Sequence, residues 1–194
     1  MKYPTFEEWF SGLPEATKDQ TVALIAAFKA NDADQPERWA RSEIAENIPQ
    51  LARYLILKRI WDCEIDRWSH QPERWVNEFG RYTSKRPIPI FIDAAAAIKR
   101  LLESGADVAD LGAIARLVAF GAAFGAIYHV DEGANPDAVG SVPGWCLMET
   151  AADGKLTGRE VGGLHESLLS IHEGRVRSAE PGSSPDSPGF PPKS

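Results

Sequence analysis

Apolar side chains recur at helical spacing along most of the chain, which predicts a mainly α-helical fold. The clearest segment runs from Pro49 to about Trp68, where large apolar residues stand three or four positions apart and fall on one helix face. These residues are Tyr54, Leu57, Trp61, Ile65 and Trp68. Further apolar residues widen the stripe, and they are Leu51, Leu55, Ile56, Ile60 and Cys63. The pattern therefore predicts a helix inside a bundle, covered by neighbours on two sides.

A second helix is predicted from about Pro89 to Ser104, with four consecutive alanines at 94–97 and a terminating glycine at Gly105. A third, capped by Asp107 or Asp110, contains the nearly all-apolar stretch LGAIARLVAFGAAFGAIYHV from Leu111 to Val130. Glycines at positions 112, 121 and 125 permit close approach, which we expect to be against the alanine face.

The Leu111 to Val130 stretch is long enough to cross a membrane, and its GAAFG spacing suits packing between membrane helices. Arg116 within it, and Asp131 and Glu132 at its end in place of basic anchors, argue against insertion. We therefore expect a buried central helix around which the other helices gather.

The pentapeptide QPERW occurs twice, at 35–39 and 71–75. Each copy is followed by a segment that begins with Ile-Pro, and proline is well tolerated in the first turn of a helix. The order predicts two helical hairpins of a short and a long helix, at 35–68 and 71–104, which a duplication would produce. The alternative is that Pro-Glu simply begins helices well and recurs by chance.

The C-terminal third changes in character. A turn at Asp153 and Gly154 between two short apolar runs predicts a small β-hairpin. Leu164, Leu168 and Ile171 are then spaced for a closing helix. Residues 178–194 are rich in Pro, Ser and Gly and are expected to be a mobile tail. The fold prediction is a single domain over 1–177, a helical bundle or helical-hairpin array with one β-hairpin near the C-terminus.

Composition narrows the classes of partner. The 194 residues are 43% hydrophobic and 25% charged, as in globular proteins, and their net charge of -7 disfavours nucleic acid and anionic lipid. The only cysteines are Cys63 and Cys146, without the spacing of a zinc site, which is typical of a reduced cytoplasmic protein. No complete catalytic or cofactor motif is present.

Six residues are candidates for a functional role: Arg116, His129, Asp131, Glu132, His165 and Glu166. His165 and His172 stand seven apart, too far along a helix to share one metal ion, but His129 and the neighbouring acids could complete a mixed site. Arg116 needs a partner if it is buried. Asp62, Glu64, Asp66 and Asp93 are the acids we consider, either in a structural pair or beside an anion-binding or catalytic arginine.

These observations favour a non-enzymatic, acidic, cytoplasmic protein-binding module that neutralises or scaffolds a basic partner. One alternative is a metal-dependent hydrolase with a His/carboxylate site; a divalent metal is expected only in that case, and no other cofactor. The other is a structural homo-oligomer, which would show an exposed apolar patch. Under the first hypothesis the binding surface includes the Asp131 to Gly144 loop and the adjoining β-hairpin. Neither nucleic acid nor a membrane is an expected partner.

Overall fold

The computed structural model describes residues 4–82, 88–134 and 139–179, with 172–179 described as helix backbone. The α-helices are α1 (Phe6–Ser11), α2 (Glu15–Ala30), α3 (Pro36–Glu46), α4 (Gln50–Ile60), α5 (Arg67–His70), α6 (Pro72–Gly80), α7 (Pro89–Glu103), α8 (Val108–Asp131) and α9 (Leu164–Ala179). A π-helical turn, Trp61–Ile65, joins α4 to α5. Strands β1 (Met148–Thr150) and β2 (Leu156–Glu160) pair antiparallel. The mainly α-helical fold with a β-hairpin near the C-terminus is confirmed.

Contacts group the chain into two compact units. Unit 1 comprises residues 1–54 and 148–194, and unit 2 comprises residues 55–147. The single domain over 1–177 stays a prediction. Helix α9 extends to Ala179, past the boundary expected at 177, and the rest of the predicted tail, 180–194, lies outside the described residues.

The two QPERW copies begin a helix at the same place but enter it differently. Both helices start at the proline, Pro36 in α3 and Pro72 in α6. The preceding Gln35 is left-handed, with φ 52° and ψ 56°, whereas Gln71 has φ -140° and ψ 62°. Helix α3 packs mainly on α2, and α6 packs on α7. The prediction that a helix begins at the proline of each copy is thus confirmed, while a duplication of the unit stays a prediction.

Unit 1 contains a cluster of three aromatic rings, Phe28, Trp39 and Tyr54. The ring centroid of Phe28 lies 6.0 Å from that of Trp39 and 5.8 Å from that of Tyr54. The Tyr54 hydroxyl donates to the carbonyl of Asn31 at 3.0 Å, which satisfies its one polar group. The predicted spacing of the closing helix is confirmed, because Leu164, Leu168 and Ile171 are all buried.

The long apolar stripe of α4 continues through the π-helical turn into unit 2. Leu57, Trp61 and Ile65 are buried, as the spacing predicted. Leu55 and Cys63, expected to be covered as well, are exposed. The prediction that neighbouring helices cover this helix on two sides is therefore wrong at Leu55 and Cys63. Periodicity identifies the face that is certain to pack, but it does not reveal whether a second neighbour reaches the helix.

The hairpin turn has the predicted Asp-Gly chemistry. Ala151 N donates to Lys155 O at 2.8 Å, and Gly154, at φ 81°, donates to Ala151 O at 2.8 Å. The Asp153 carboxylate accepts from Lys155 N at 3.1 Å. Glycine adopts this left-handed conformation without steric cost, which explains its position in the turn.

Helix α8 begins at Asp107, whose side chain accepts from Ala109 N at 2.8 Å, as one of the two predicted caps. The predicted glycine-to-alanine packing is wrong. A Cβ on Gly112 would lie 2.9 Å from Pro72 Cβ and 3.1 Å from Trp68 O, which places this glycine against α5 and α6. Nothing lies within 4 Å of a Cβ built on Gly121 or Gly125. Small residues allow close packing but do not select the neighbour.

This contrast predicts opposite effects for one substitution at different glycines of α8. Gly112→Ala is expected to lower the free energy of unfolding by about 1–2 kcal/mol, because the new methyl overpacks against α5 and α6. Gly121→Ala and Gly125→Ala should raise it by roughly 0.5–1 kcal/mol through helix propensity. Urea unfolding followed by circular dichroism measures all three. Stabilisation by Gly112→Ala would contradict the close contact.

Candidate interaction surface

Arg116 fixes the covered side of α8. Its Nε and Nη2 atoms both lie 2.8 Å from Asp66 Oδ1, and Asp66 is one of the four acids considered from the sequence. The guanidinium carbon also lies 5.7 Å from the ring centroid of Trp61. The arginine is half-buried, so the carboxylate and the ring replace part of its hydration. The pair therefore attaches α8 to the π-helical turn.

Apolar contacts continue along the same side. The Phe120 ring packs against Trp61 at a centroid distance of 5.8 Å, and Ile127 is buried. Together with Gly112 and Arg116, these residues lie within about 80° of one another around the helix axis. Helix α8 packs through this side on α5, α6 and the π-helical turn.

The opposite side of α8 is apolar and exposed. We define the α8 apolar face by its large side chains and by the two glycines between them: Ile114, Leu117, Val118, Gly121, Phe124, Gly125 and Tyr128. Ile114 is 61% exposed, Leu117 71% and Val118 65%. The spacing of three and four residues places all seven in one stripe. The stripe is continuous over four helical turns.

The expectation that Leu111 to Val130 forms a buried central helix is wrong. Only 17% of the most apolar part of α8 is buried. The stretch is apolar all round, so its sequence does not distinguish a helix covered on all sides from one covered on a single side. By length and composition, α8 is also the one helix among the described residues that could cross a membrane.

Strongly exposed large apolar side chains are concentrated in unit 2. Among the described residues, unit 1 contributes only Val22, Leu156 and Leu169. Unit 2 contributes the rest: the five large side chains of the α8 apolar face, Ile88, Ile90, Ile92, Leu101 and Leu102 at the two ends of α7, Val130 at the end of α8, Val139, Val142, Trp145 and Leu147 after it, and Leu55 on α4. A clustering of this kind is typical of an interaction surface, since scattered exposed residues would be divided more evenly.

An exposed acid stands at each end of the α8 apolar face. These acids are Asp110, in the first turn, and Glu132, directly after the helix. They are 22 residues apart, or about 33 Å at helical rise. Between Asp110 and Asp131 the only Lys, Arg, His, Asp or Glu side chains are those of Arg116 and His129. Arg116 lies on the covered side and His129 is exposed at the last turn, so the α8 apolar face as defined contains no Lys, Arg, His, Asp or Glu between its two acidic ends.

No family model, curated protein or solved structure matches this chain. The geometry of the described residues is therefore the basis for a functional proposal.

The chain after α8 folds back on the end of the helix. Trp145 Nε1 donates to the carbonyl of His129 at 2.9 Å, and Trp145 N donates to Gly133 O at 2.8 Å. The first bond satisfies a carbonyl that the end of the helix leaves open. The His129 ring is exposed. Residues 135–138 of the expected binding loop lie outside the described part of the chain.

The remaining candidates are divided between the units. His129, Asp131 and Glu132 belong to unit 2, and His165 and Glu166 lie in the first turn of α9 in unit 1. His172 lies in the part of α9 described as backbone. Within the described ranges, no three His, Cys, Asp or Glu side chains are grouped to hold a metal ion. Arg116, one of the six candidates, forms the ion pair with Asp66 described above.

A charged network in unit 1 was missed by the sequence reasoning. Arg159 of β2 binds both carboxylate oxygens of Glu149, at 2.8 and 2.7 Å, and its Nη1 atom binds Glu43 Oε1 at 2.9 Å. The other oxygen of Glu43 accepts from Leu51 N at 2.8 Å, in the first turn of α4. The arginine thereby joins the hairpin to α3. Glu43 lies within α3 and is 116 positions from Arg159 in the sequence. No spacing or motif near either residue therefore predicts the contact.

The pKa of the Glu149 carboxyl reflects this network. Burial alone would raise the pKa, but hydrogen bonds from Arg159 and Thr157 and the charge of Arg159 outweigh burial and hold it below its ordinary value of 4.5. Unfolding restores the ordinary pKa. The charged carboxylate therefore contributes its full stabilisation above pH 4.5, and that stabilisation is lost as the pH falls through the lower, folded pKa.

We expect the free energy of unfolding to fall more steeply below pH 4.5 in the wild-type chain than in Glu149→Gln. The neutral amide has no proton to gain, so this part of the acid dependence is absent from the variant. Urea titrations at a series of pH values measure the difference. Parallel curves for the two proteins would contradict the assigned role of the Arg159 pair.

Proposed function

We propose that the protein is a non-catalytic protein-binding module that holds its partner on the α8 apolar face. The single observation that carries the proposal is the exposure of this continuous apolar stripe on a helix whose other side is anchored by Arg116, Phe120 and Ile127. The anchoring matters because a helix already held in place loses little conformational freedom when a partner binds.

The energetics support a binding role. Covering a fully exposed large aliphatic side chain is worth about 1.5–3 kcal/mol, and three side chains of the face, Ile114, Leu117 and Val118, are more than half exposed. Part of that gain offsets the lost freedom of the two partners. The open backbone at Gly121 and Gly125 lets a partner side chain approach the helix closely.

Charge favours a protein over a membrane or a nucleic acid as the partner. The chain has a net charge of -7, and the face ends in Asp110 and Glu132 in place of basic anchors. Anionic lipid and phosphate would be repelled by this distribution. Cytoplasmic location is part of the proposal, and it is supported by two free, exposed cysteines, Cys63 and Cys146.

The test is purification of the tagged chain from its native cell, with mass spectrometry of the proteins that copurify. We expect a stoichiometric partner with the wild-type chain, and at least about a hundredfold weaker affinity for that partner in Leu117→Glu, because the carboxylate would have to be desolvated inside the interface. Val22→Glu is the matched control, since Val22 is 56% exposed on a helix of unit 1.

The Val22→Glu control distinguishes binding at the α8 apolar face from nonspecific binding to any exposed apolar side chain. The proposal requires Val22→Glu to retain the partner as the wild-type chain does. If both variants lose it equally, or if Leu117→Glu keeps it, the α8 apolar face is not the binding surface. Circular dichroism of each variant establishes that the fold is retained. Release of a stoichiometric divalent metal with hydrolytic activity would favour the metal-dependent hydrolase instead.

A further inference from the structure

We infer that the partner presents an amphipathic helix to the α8 apolar face, with Lys or Arg at both ends of its apolar side and a bulky side chain at the centre. This inference rests on the proposed function, which it deepens by stating the chemistry of the partner. It follows from the charge, the spacing and the shape of the face.

The acids at the two ends of the α8 apolar face favour a partner with a basic side chain at each corresponding position. Among the described residues, neither Asp110 nor Glu132 has an ion-pair partner. Both are exposed in the free chain, and they flank a stripe without charge. A partner with Lys or Arg opposite these positions gains attraction and loses little hydration, as at the rim of known interfaces. A partner with acids there is repelled.

The spacing sets the length of the partner segment. Gly121 lies 11 residues from Asp110 and 11 residues from Glu132. A straight partner helix therefore needs its basic residues about 16 Å to either side of its centre, which again corresponds to 11 residues. Because both ends of the face are acidic at equal distances from Gly121, a helix of either direction satisfies the charges.

The shape of the face places a large side chain at the centre of the partner. Gly121 and Gly125 expose bare backbone, while Leu117, Val118 and Phe124 project around them. The result is a shallow depression bordered by bulky side chains. A Leu or Met at the middle of a partner helix fills it, in the way that knobs fill holes between packed helices.

A second copy of this chain fits the face less well. In an antiparallel pair centred on Gly121, Asp110 of one copy stands opposite Glu132 of the other at both ends, because 110 and 132 are equally distant from 121. In a parallel pair each acid faces its own counterpart. Like charges therefore meet in both arrangements, which disfavours the dimer.

The experiment uses three synthetic peptides that span the length of Asp110–Glu132. They share one helical apolar stripe with a central Leu and differ only at their ends, which are Lys-Arg, Gln-Gln or Glu-Glu. Binding to the full chain is measured by fluorescence anisotropy at low and at high salt. We expect the basic-ended peptide to bind at least about tenfold more tightly than the acidic-ended one at low salt, with a smaller ratio at high salt.

A charge-swapped chain provides the decisive control. The double variant Asp110→Lys/Glu132→Lys should prefer the acidic-ended peptide, while Leu117→Glu should bind all three peptides weakly and Val22→Glu should behave as the wild-type chain does. Equal affinity of the wild-type chain for all three peptides overturns the inference, as does an unchanged preference in the double variant.

The outcomes distinguish this inference from the proposed function. If a native partner depends on Leu117 but no peptide binds, the inference fails and the proposed function stands. A dimer in light scattering makes a second copy the occupant, which overturns the inference. Cosedimentation with phosphatidylcholine vesicles, lost in Leu117→Glu, overturns both, as does the absence of every one of these interactions.

Discussion

Replacing Trp61 with alanine is expected to lower the free energy of unfolding by about 3–5 kcal/mol, the range for truncating a buried tryptophan. Trp61 is 3% exposed and is the point where α8 rests on the π-helical turn. Its ring contacts Phe120 and lies beneath the guanidinium of Arg116. The substitution leaves a cavity and removes the ring that stabilises the half-buried guanidinium of Arg116.

Two further variants test the reason for this effect. Trp61→Phe keeps an aromatic ring in the same place, so its loss of stability should be less than half of the loss in Trp61→Ala. Leu55→Ala, in α4 directly before the turn and 40% exposed, should change stability by less than about 1 kcal/mol. Denaturant unfolding followed by circular dichroism compares the three. A small loss in Trp61→Ala would contradict the packing of α8 on the turn.

Replacing Arg159 with leucine is expected to cost about 3 kcal/mol, because it leaves Glu43 and Glu149 with charges that are mostly buried. The side chain of Glu43 is 3% exposed and that of Glu149 12%, so water replaces the lost partner poorly. Glu43 would keep the bond from Leu51 N, and Glu149 the bond from Thr157. The same unfolding measurement, applied to Arg159→Leu, gives the cost.

The hairpin offers a matched control for this prediction. Lys155→Leu removes an ion pair to Asp153 with a 2.7 Å contact. The Lys155 side chain is 82% exposed and that of Asp153 54%, so water can hydrate the Asp153 carboxylate when the lysine is gone. Stability should be almost unchanged. Adding Glu43→Gln and Glu149→Gln to Arg159→Leu should recover part of the loss, since no unpaired buried charge then remains. Equal effects of Arg159→Leu and Lys155→Leu would contradict the assigned network.

Local chemistry in the sequence was sufficient to place most elements. Proline at 36, 72 and 89, the Asp107 cap and the Asp153 turn act within a few residues, so each can be recognised without knowledge of the fold. The apolar stripe through Leu57, Trp61 and Ile65 was predicted for the same reason. These features depend on backbone geometry and on spacing along one helix.

Contacts between distant residues were not predictable in the same way. The burial of Glu43 depends on Arg159, and the environment of Gly112 depends on Pro72 and Trp68. The apolar stretch of α8 predicted burial correctly on one side and wrongly on the other. Its composition is alike on both sides, so only the arrangement of α5, α6 and the π-helical turn determines which one is covered. Asp66, the partner of Arg116, was among the four acids considered from the sequence, which did not distinguish it from the other three.

The exposed side of α8 changes the functional interpretation more than any single residue does. A buried central helix would leave the surface loops as the place for binding. Under the proposed function, an apolar helix covered on one side instead supplies a docking surface of its own, with acidic ends that favour a basic partner. The hypothesis of a protein-binding module is kept, but the proposed surface moves from the loop after Asp131 to the helix before it.

The most direct test of this account is the reactivity of a single thiol on the α8 apolar face. Val118→Cys is placed in a chain whose natural thiols are removed by Cys63→Ser and Cys146→Ser, and its reaction with a maleimide is timed. Val22→Cys serves as an exposed reference and Leu168→Cys as a buried one, since these positions are 56% and 0% exposed. We predict that Val118→Cys reacts as fast as Val22→Cys in the isolated chain and much more slowly when the partner is bound. Reaction as slow as that of Leu168→Cys in the isolated chain would contradict the account, because the face would then already be covered.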